Sequence, residues 1–201
     1  MLRVQGPDIV FVILLFGGNI LENSAIPCVQ FVLKQSMTKA VISSYSISKY
    51  CKSARMSRST FYRTFENGKV DLLYKGLEES LKDSLMPKKF DKTMRMSIYR
   101  GLKEIEAEKN FYLSIYKITR MEDRSIIRVR LKKLAYQIVM KYADKFEGLP
   151  KRKGKTLGNL IYNNISEWIT HGCLENVNEI YQQLELLLPQ VEGHRCSDNN
   201  K

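Results

Sequence analysis

The most specific chemistry in the sequence lies in a short run of arginine, serine, threonine and tyrosine residues. At helical spacing one face of this run is polar and lies opposite Phe61 and Phe65; it consists of Arg58, Ser59, Tyr62 and Arg63. Arginine can donate two hydrogen bonds to guanine, serine and threonine can bond base edges or phosphates, and a tyrosine hydroxyl can reach a phosphate. The pattern therefore predicts contacts with DNA.

Two short helices joined by a tight turn must position this face. Ser46 and Ser57 are placed to cap them, because a serine hydroxyl accepts a hydrogen bond from the free N–H groups of a helix start. The first helix has an apolar face at i, i+3, i+4 and i+7, formed by Ile47, Tyr50, Cys51 and Ala54. Residues 46–65 therefore predict a helix-turn-helix unit whose second helix enters the major groove.

The charge around this unit has the sign that a polyanionic partner requires. The chain of 201 residues carries 33 Lys and Arg against 21 Asp and Glu, a formal net charge of +12. Between residues 46 and 75 only Glu66 and Asp71 oppose the cations Lys49, Lys52, Arg55, Arg58, Arg63, Lys69 and Lys75. Such a surplus of positive charge favours nucleic acid or an anionic membrane as the binding partner. We expect phosphate contacts from Lys49, Tyr62 and Lys69, and base discrimination by Arg58, Ser59, Thr60 and Arg63.

Few residues have the types and spacing that catalysis or metal binding needs. The chain has two histidines, and its four cysteines, Cys28, Cys51, Cys173 and Cys196, form no CxxC pair, so we expect no zinc site. The sequence contains no nucleotide-binding glycine loop, nucleophile elbow or HExxH motif. We therefore expect no enzyme activity, no cofactor and no metal. The isolated thiols favour a reducing compartment, and the expected location is cytoplasmic.

Residues 1–25 form an atypical amino-terminal extension. Ile9 to Phe16 is a run of eight apolar residues, which is too short to span a bilayer. Three interpretations stay open: an export signal, a start that is not native, and a short element packed on the body. A weaker alternative is a membrane-associated protein anchored by this run and by positive charge. The primary interpretation involves no membrane.

From residue 26 onward the apolar spacing is helical and no strand alternation is found. The sequence Gly148 to Lys155 predicts a loop or a frayed helix start. The last two helices are expected at 157–172 and 176–188, and Asn176 with Glu179 has the spacing of a capping box. Residues 190–201 are polar and are expected to form a flexible tail.

Residues Ser46 to Leu73 resemble the TetR family of bacterial transcription regulators. Ser46 stands where a capping threonine is usual, and direct matches to the family pattern are Ala54, Ser57, Thr60, Phe61, Tyr62 and Phe65. Leu72 and Leu73 match the start of the connecting helix. Lys69 lies near the lysine that commonly anchors that helix to a phosphate.

Several positions depart from the family pattern. Tyr50 and Cys51 replace a small apolar pair, Arg55 stands where glycine is usual, and Thr64 replaces a histidine. The link from Phe65 to Leu72 is one residue longer than is typical.

The resemblance implies an all-α fold with a three-helix N-terminal helix-turn-helix DNA-binding domain at 26–86 and a C-terminal helical ligand-binding and dimerisation domain at 87–189. It implies a homodimer formed through 157–172 and 176–188. The sequence NLIYNNISEWITHG in that region is similar to the branch that includes dihydroxyacetone-kinase-operon regulators.

The resemblance further implies a repressor that binds a double-stranded DNA operator and is released by a small-molecule effector. Candidates for an effector pocket are Tyr99, Tyr112, Tyr116, Tyr136 and Tyr142, although a plain helical core explains these aromatic residues equally well. The alternative is an architectural or adaptor DNA-binding protein without small-molecule control.

Overall fold

The computed structural model describes residues 28–119, 121–146 and 151–187. The regular elements in these ranges are all α-helices, in agreement with the predicted all-α class: α1 (Val29–Met37), α2 (Ile47–Ser53), α3 (Arg58–Thr64), α4 (Lys69–Leu85), α5 (Met94–Ala107), α6 (Lys109–Ile118), α7 (Met121–Phe146), α8 (Lys151–Thr170) and α9 (Val177–Leu187). The extension 1–25 and the tail 190–201 lie outside the described residues. Among the described helices, none is long and apolar enough to cross a membrane.

Helix α1 packs against α4 and fixes the position of the N-terminal helices. Its buried face consists of Val29, Val32, Leu33 and Met37. The Glu79 carboxylate of α4 accepts hydrogen bonds from the backbone N–H of Gln30 at 2.9 Å and from the thiol of Cys28 at 3.3 Å. Because the first N–H groups of a helix lack partners within the helix, Glu79 stabilises the start of α1.

Helix α4 connects α1–α3 to the remaining helices, since it contacts α1, α5 and α7. Side chains from two other helices cap its C-terminal end. The Arg100 guanidinium of α5 donates hydrogen bonds to the carbonyls of Ser84 at 2.7 Å and Met86 at 3.0 Å. The Tyr142 hydroxyl of α7 donates to the carbonyl of Leu85. The end of α4 is thus tied to both α5 and α7.

The two long helices α7 and α8 pack closely against each other. A Cβ added at Gly158 of α8 would lie 2.9 Å from the Cα of Tyr136 in α7, so glycine permits the close approach. Helix α8 begins at Lys151, so residues 151–155 form its first turn rather than a loop. Residues 148–150 of that predicted segment lie outside the described ranges.

The chain turns sharply between α8 and α9. Trp168 is buried, and its indole N–H donates to the Glu175 carbonyl at 2.9 Å. The predicted capping box is confirmed, because the Asn176 N–H donates to the Glu179 carboxylate at 3.0 Å and the Glu179 N–H donates to the Asn176 side chain at 3.1 Å.

Candidate nucleic-acid interface

Helices α2 and α3 are each preceded by the capping serine that the sequence predicts. The Ser46 hydroxyl accepts a hydrogen bond from the Lys49 N–H at 3.1 Å, and the Ser57 hydroxyl accepts one from the Thr60 N–H at 3.0 Å. These caps set the first residue of each helix, and so determine which side chains of α3 face outward. The hydroxyls of Ser57 and Thr60 also lie 2.9 Å apart. Thr60, expected to contact a base, therefore also takes part in the cap.

In the turn between α2 and α3, the residue that follows the end of α2 has a left-handed backbone conformation although it carries a side chain. Arg55 has a φ of 52°. Its N–H donates to the Lys52 carbonyl at 3.3 Å, and the Met56 N–H donates to the Cys51 carbonyl at 3.0 Å, the arrangement known as a Schellman motif. Glycine is favoured at this position because it lacks a Cβ. Arg55 thus adopts a backbone conformation that is unfavourable for a residue with a Cβ, and it does so in the turn that determines the angle between α2 and α3.

Three aromatic rings join α2 and α3 on the inner side. The Tyr50 ring centroid lies 5.9 Å from those of both Phe61 and Phe65, and the two phenylalanine centroids lie 5.0 Å apart. All three side chains are buried, and such ring pairs stabilise beyond the area they bury. The predicted inward orientation of Phe61 and Phe65 is confirmed.

The opposite face of α3 is open to solvent and carries the polar side chains Arg58, Ser59, Tyr62 and Arg63. Tyr62 keeps 55% of its surface exposed. The guanidinium of Arg58 donates a hydrogen bond to the hydroxyl of Ser48 in α2, a contact that no sequence pattern indicated. It joins the two helices on their outer side.

The cations around α2 and α3 leave a positive surface. Within the described ranges, no ion pair involves any of Lys49, Lys52, Arg55, Arg58, Arg63 and Lys69. All but Lys69 are exposed. A cluster of like charges without counter-charges raises the local positive potential, which attracts polyanions.

The start of α4 lies beside the exposed face of α3. Lys69 is the first residue of α4 and is half-buried. The Tyr62 ring reaches the preceding residue, since a Cβ on Gly68 would lie 3.9 Å from the Tyr62 Cε1. Helix N-termini favour anions, and Tyr62 and Lys69 both lie at the N-terminus of α4. Lys49 is exposed on α2, with its Nζ 5.5 Å from the Tyr45 ring centroid.

Asp71 ties the link between α3 and α4 to the distant helix α7. Its carboxylate accepts hydrogen bonds from the Asn67 N–H at 2.8 Å and from the Arg130 guanidinium at 2.7 Å. Burial alone would raise the pKa of Asp71, but these hydrogen bonds outweigh it and lower the pKa below its usual value. Arg130 also lies over the Tyr74 ring, 5.2 Å from its centroid. Sequence reasoning missed this contact because its partners are 59 positions apart.

A cavity of about 410 Å³ lies between α4, α5, α6, α7 and α8. Of the tyrosines nominated from the sequence, Tyr112, Tyr116 and Tyr142 line it. Tyr99 instead packs edge-on against Tyr181, with centroids 5.3 Å apart, and donates a hydrogen bond to Asn178. Tyr136 contributes backbone to the contact with Gly158. Of the two alternatives that the sequence leaves open for these tyrosines, a wall of the cavity therefore applies to Tyr112, Tyr116 and Tyr142 and not to Tyr99 and Tyr136.

In the part of the chain that the structure describes, no group of three or more His, Cys, Asp or Glu residues is arranged to hold a metal ion. Comparison of the chain with protein-family models, with curated proteins and with solved structures finds no match. The function must therefore be inferred from the residues and geometry described above.

Proposed function

We propose that the chain is a sequence-specific DNA-binding transcription regulator of the TetR type that acts as a homodimer. The observation that carries this proposal is the construction of α3. Ser57 fixes its start, Phe61 and Phe65 hold its inner face, and its outer face presents arginine, serine and tyrosine to solvent. A major groove is wide enough to admit such a helix and offers a distinct hydrogen-bonding pattern for each base pair.

Base recognition and phosphate binding are assigned to different side chains. Ser59 and Arg63 project from the exposed face of α3 and would contact base edges together with Arg58 and Thr60. Arg58 must first exchange its hydrogen bond to Ser48 for one to a base. Phosphate contacts from Lys49, Tyr62 and Lys69 would hold the helix in register, since such contacts orient a protein on DNA without reading sequence.

A dimer is proposed through α8 and α9. Leu160 of α8 is 37% exposed and Leu186 of α9 is 88% exposed, so the outer faces of these helices present apolar side chains to solvent. Burying them against a second copy would remove apolar surface from water. Two copies of α3 would then contact two half-sites about one helical turn apart, or a multiple of it.

The proposed regulator is a repressor that a small molecule releases. The cavity between α4 and α8 is the proposed effector site. An effector would act by preferring one separation of the two α3 helices, which shifts the population toward conformations that bind DNA poorly.

Selection of bound sequences from a random duplex pool, at low and physiological salt, tests the proposal. We expect an enriched two-fold-symmetric sequence. If about eight phosphates are contacted per dimer, affinity should fall on the order of ten-thousandfold between roughly 50 and 200 mM salt. Salt-sensitive binding without an enriched sequence would instead support the architectural or adaptor alternative. Binding that does not respond to salt would contradict the proposed phosphate contacts, and no binding to any duplex at low salt would contradict a DNA-binding role.

A further inference from the structure

The cavity follows one face of α7 for most of the length of that helix. Its lining positions on α7 run from Arg124 to Tyr142, singly or as adjacent pairs that recur every three or four residues. This span corresponds to roughly 27 Å along the helix axis at about 1.5 Å per residue. Its volume of about 410 Å³ lies in the range of small-molecule sites. A small volume distributed over such a length fits an extended chain better than a compact ring system.

Aliphatic side chains form most of the wall. Leu77, Leu81 and Leu85 of α4 face the cavity from one side, and Ile161 and Ile165 of α8 face it from the other. Transfer of a methylene group from water to such surroundings tightens binding by about fourfold. The wall therefore favours a ligand with an unbranched hydrocarbon chain.

Two arginines of α7, one helical turn apart, lie at one end of the cavity. Arg124 is held in place, because its guanidinium lies 4.1 Å from the Tyr116 ring centroid and donates to the Tyr116 carbonyl at 2.9 Å. Arg128 is exposed, so this end opens toward solvent. Among the described residues that line the cavity there is no Asp or Glu. The charge at this end therefore favours an anion and disfavours a cation.

We infer that the cavity binds an elongated apolar monoanion, a medium-chain carboxylate, with the carboxylate at Arg124 and Arg128 and the chain toward Leu85. Arginine pairs with carboxylate through charge-assisted hydrogen bonds. Binding itself is independent of the DNA proposal, whereas its role as the releasing effector rests on the proposed function.

The same helix provides a route from the cavity to α3. Arg130 lies between cavity-lining positions of α7 and binds Asp71, which in turn holds the Asn67 N–H in the link that follows α3. A chain inserted between α4 and α7 would displace Arg130 relative to Asp71. The carboxylate should therefore weaken binding to DNA through this ion pair.

Isothermal titration with octanoate, decanoate and dodecanoate tests the ligand class. We expect affinity to rise about fourfold per added methylene, and decanoate to bind more tightly than decanol or decylamine. Arg128→Gln and Arg124→Gln should each weaken decanoate binding roughly tenfold to a hundredfold. Arg152→Gln, which removes an exposed arginine of α8 outside the cavity lining, should not change it.

Leu131→Trp blocks the cavity midway along α7 and should abolish decanoate binding; thermal unfolding without ligand checks that this variant folds. Three results would overturn the inference: no binding of any of the carboxylates, equal binding of decylamine, or undiminished binding to folded Leu131→Trp. Equal binding of decanol would overturn the role of the arginines and thus the assignment of an anion.

Duplex binding with and without decanoate distinguishes this inference from the proposed function. We expect decanoate to weaken binding to the selected duplex, and Arg130→Gln to reduce that effect. Duplex binding by a chain that binds no carboxylate would overturn the inference alone. Carboxylate binding by a chain that binds no DNA would overturn the proposed function alone.

Discussion

Replacing Arg55 by glycine should stabilise the protein, although it removes a side chain. Arg55 is exposed and has a φ of 52°, and its position in the Schellman motif is the one that glycine normally occupies. The end of α8 provides an internal comparison. There Gly172 has a φ of 82°, the Cys173 N–H donates to the Trp168 carbonyl at 2.9 Å, and the Gly172 N–H donates to the Ile169 carbonyl at 3.0 Å.

The size of the effect follows from two opposing contributions. A left-handed conformation costs a residue with a Cβ about 1–2 kcal/mol, and glycine avoids this cost. Glycine also increases the conformational entropy of the unfolded chain, which removes about 0.4–1 kcal/mol of stability. The expected net gain for Arg55→Gly is about 0.5–1 kcal/mol, or a rise in Tm of about 1–4 °C for a chain of this size.

Thermal and urea unfolding of Arg55→Gly and Arg55→Ala measure this gain. Alanine removes the same charge and the same long side chain but keeps the Cβ, so Arg55→Ala should retain the cost and unfold close to the parent. If Arg55→Gly is no more stable than Arg55→Ala, the turn does not impose a left-handed conformation at this position. Because both variants lack the arginine charge, a difference between them in affinity for DNA would reflect the geometry of the turn rather than its charge.

Other predictions concern packing and buried polar groups. Gly158→Ala should lower the free energy of unfolding in urea by about 1–3 kcal/mol, because the alanine Cβ would lie 2.9 Å from the backbone of Tyr136. Unchanged stability would contradict the close packing of α7 and α8. The buried Tyr50 hydroxyl makes no hydrogen bond within the described residues. Tyr50→Phe should therefore leave the free energy of unfolding in urea unchanged or raise it by up to about 1 kcal/mol. A clear loss of stability would show that the hydroxyl has a hydrogen-bond partner. Asp91 is buried, which would raise its pKa, but hydrogen bonds from Arg100 and neighbouring groups hold that pKa well below the usual value. The Asp91 carboxylate should therefore contribute its full stabilisation above about pH 4 and lose it as the pH is lowered further. Asp91→Asn should lower the free energy of unfolding by about 3 kcal/mol at pH 7 and flatten the acid side of a pH–stability curve. A curve of unchanged slope would contradict a lowered pKa of Asp91.

Features that depend on neighbouring residues could be predicted from the sequence. The caps at Ser46 and Ser57 and the capping box at Asn176 depend on side chains reaching N–H groups two or three positions away. The inward faces of α2 and α3 follow from helical periodicity, because Phe61 and Phe65 recur after one turn. These local rules define the candidate interface without any knowledge of the rest of the fold.

Features that join distant segments could not be predicted. The contact of Arg130 with Asp71 and that of Arg58 with Ser48 depend on how helices cross, which periodicity does not encode. The same limit explains why the sequence could not decide which of the candidate tyrosines line the cavity. Tyr99 has the residue type suited to a pocket wall, but α5 turns it toward α9, where it meets Asn178.

The central claim is that the outer face of α3 reads base pairs, and Arg63→Ala on the selected duplex tests it most directly. Dissociation constants should be measured for that duplex and for each of its single base-pair variants, with Arg152→Ala as the matched control. We predict a loss of about 1–3 kcal/mol and a loss of discrimination at one position per half-site, with both unchanged in the control. If Arg63→Ala binds every duplex as the parent does, α3 does not read DNA through this face.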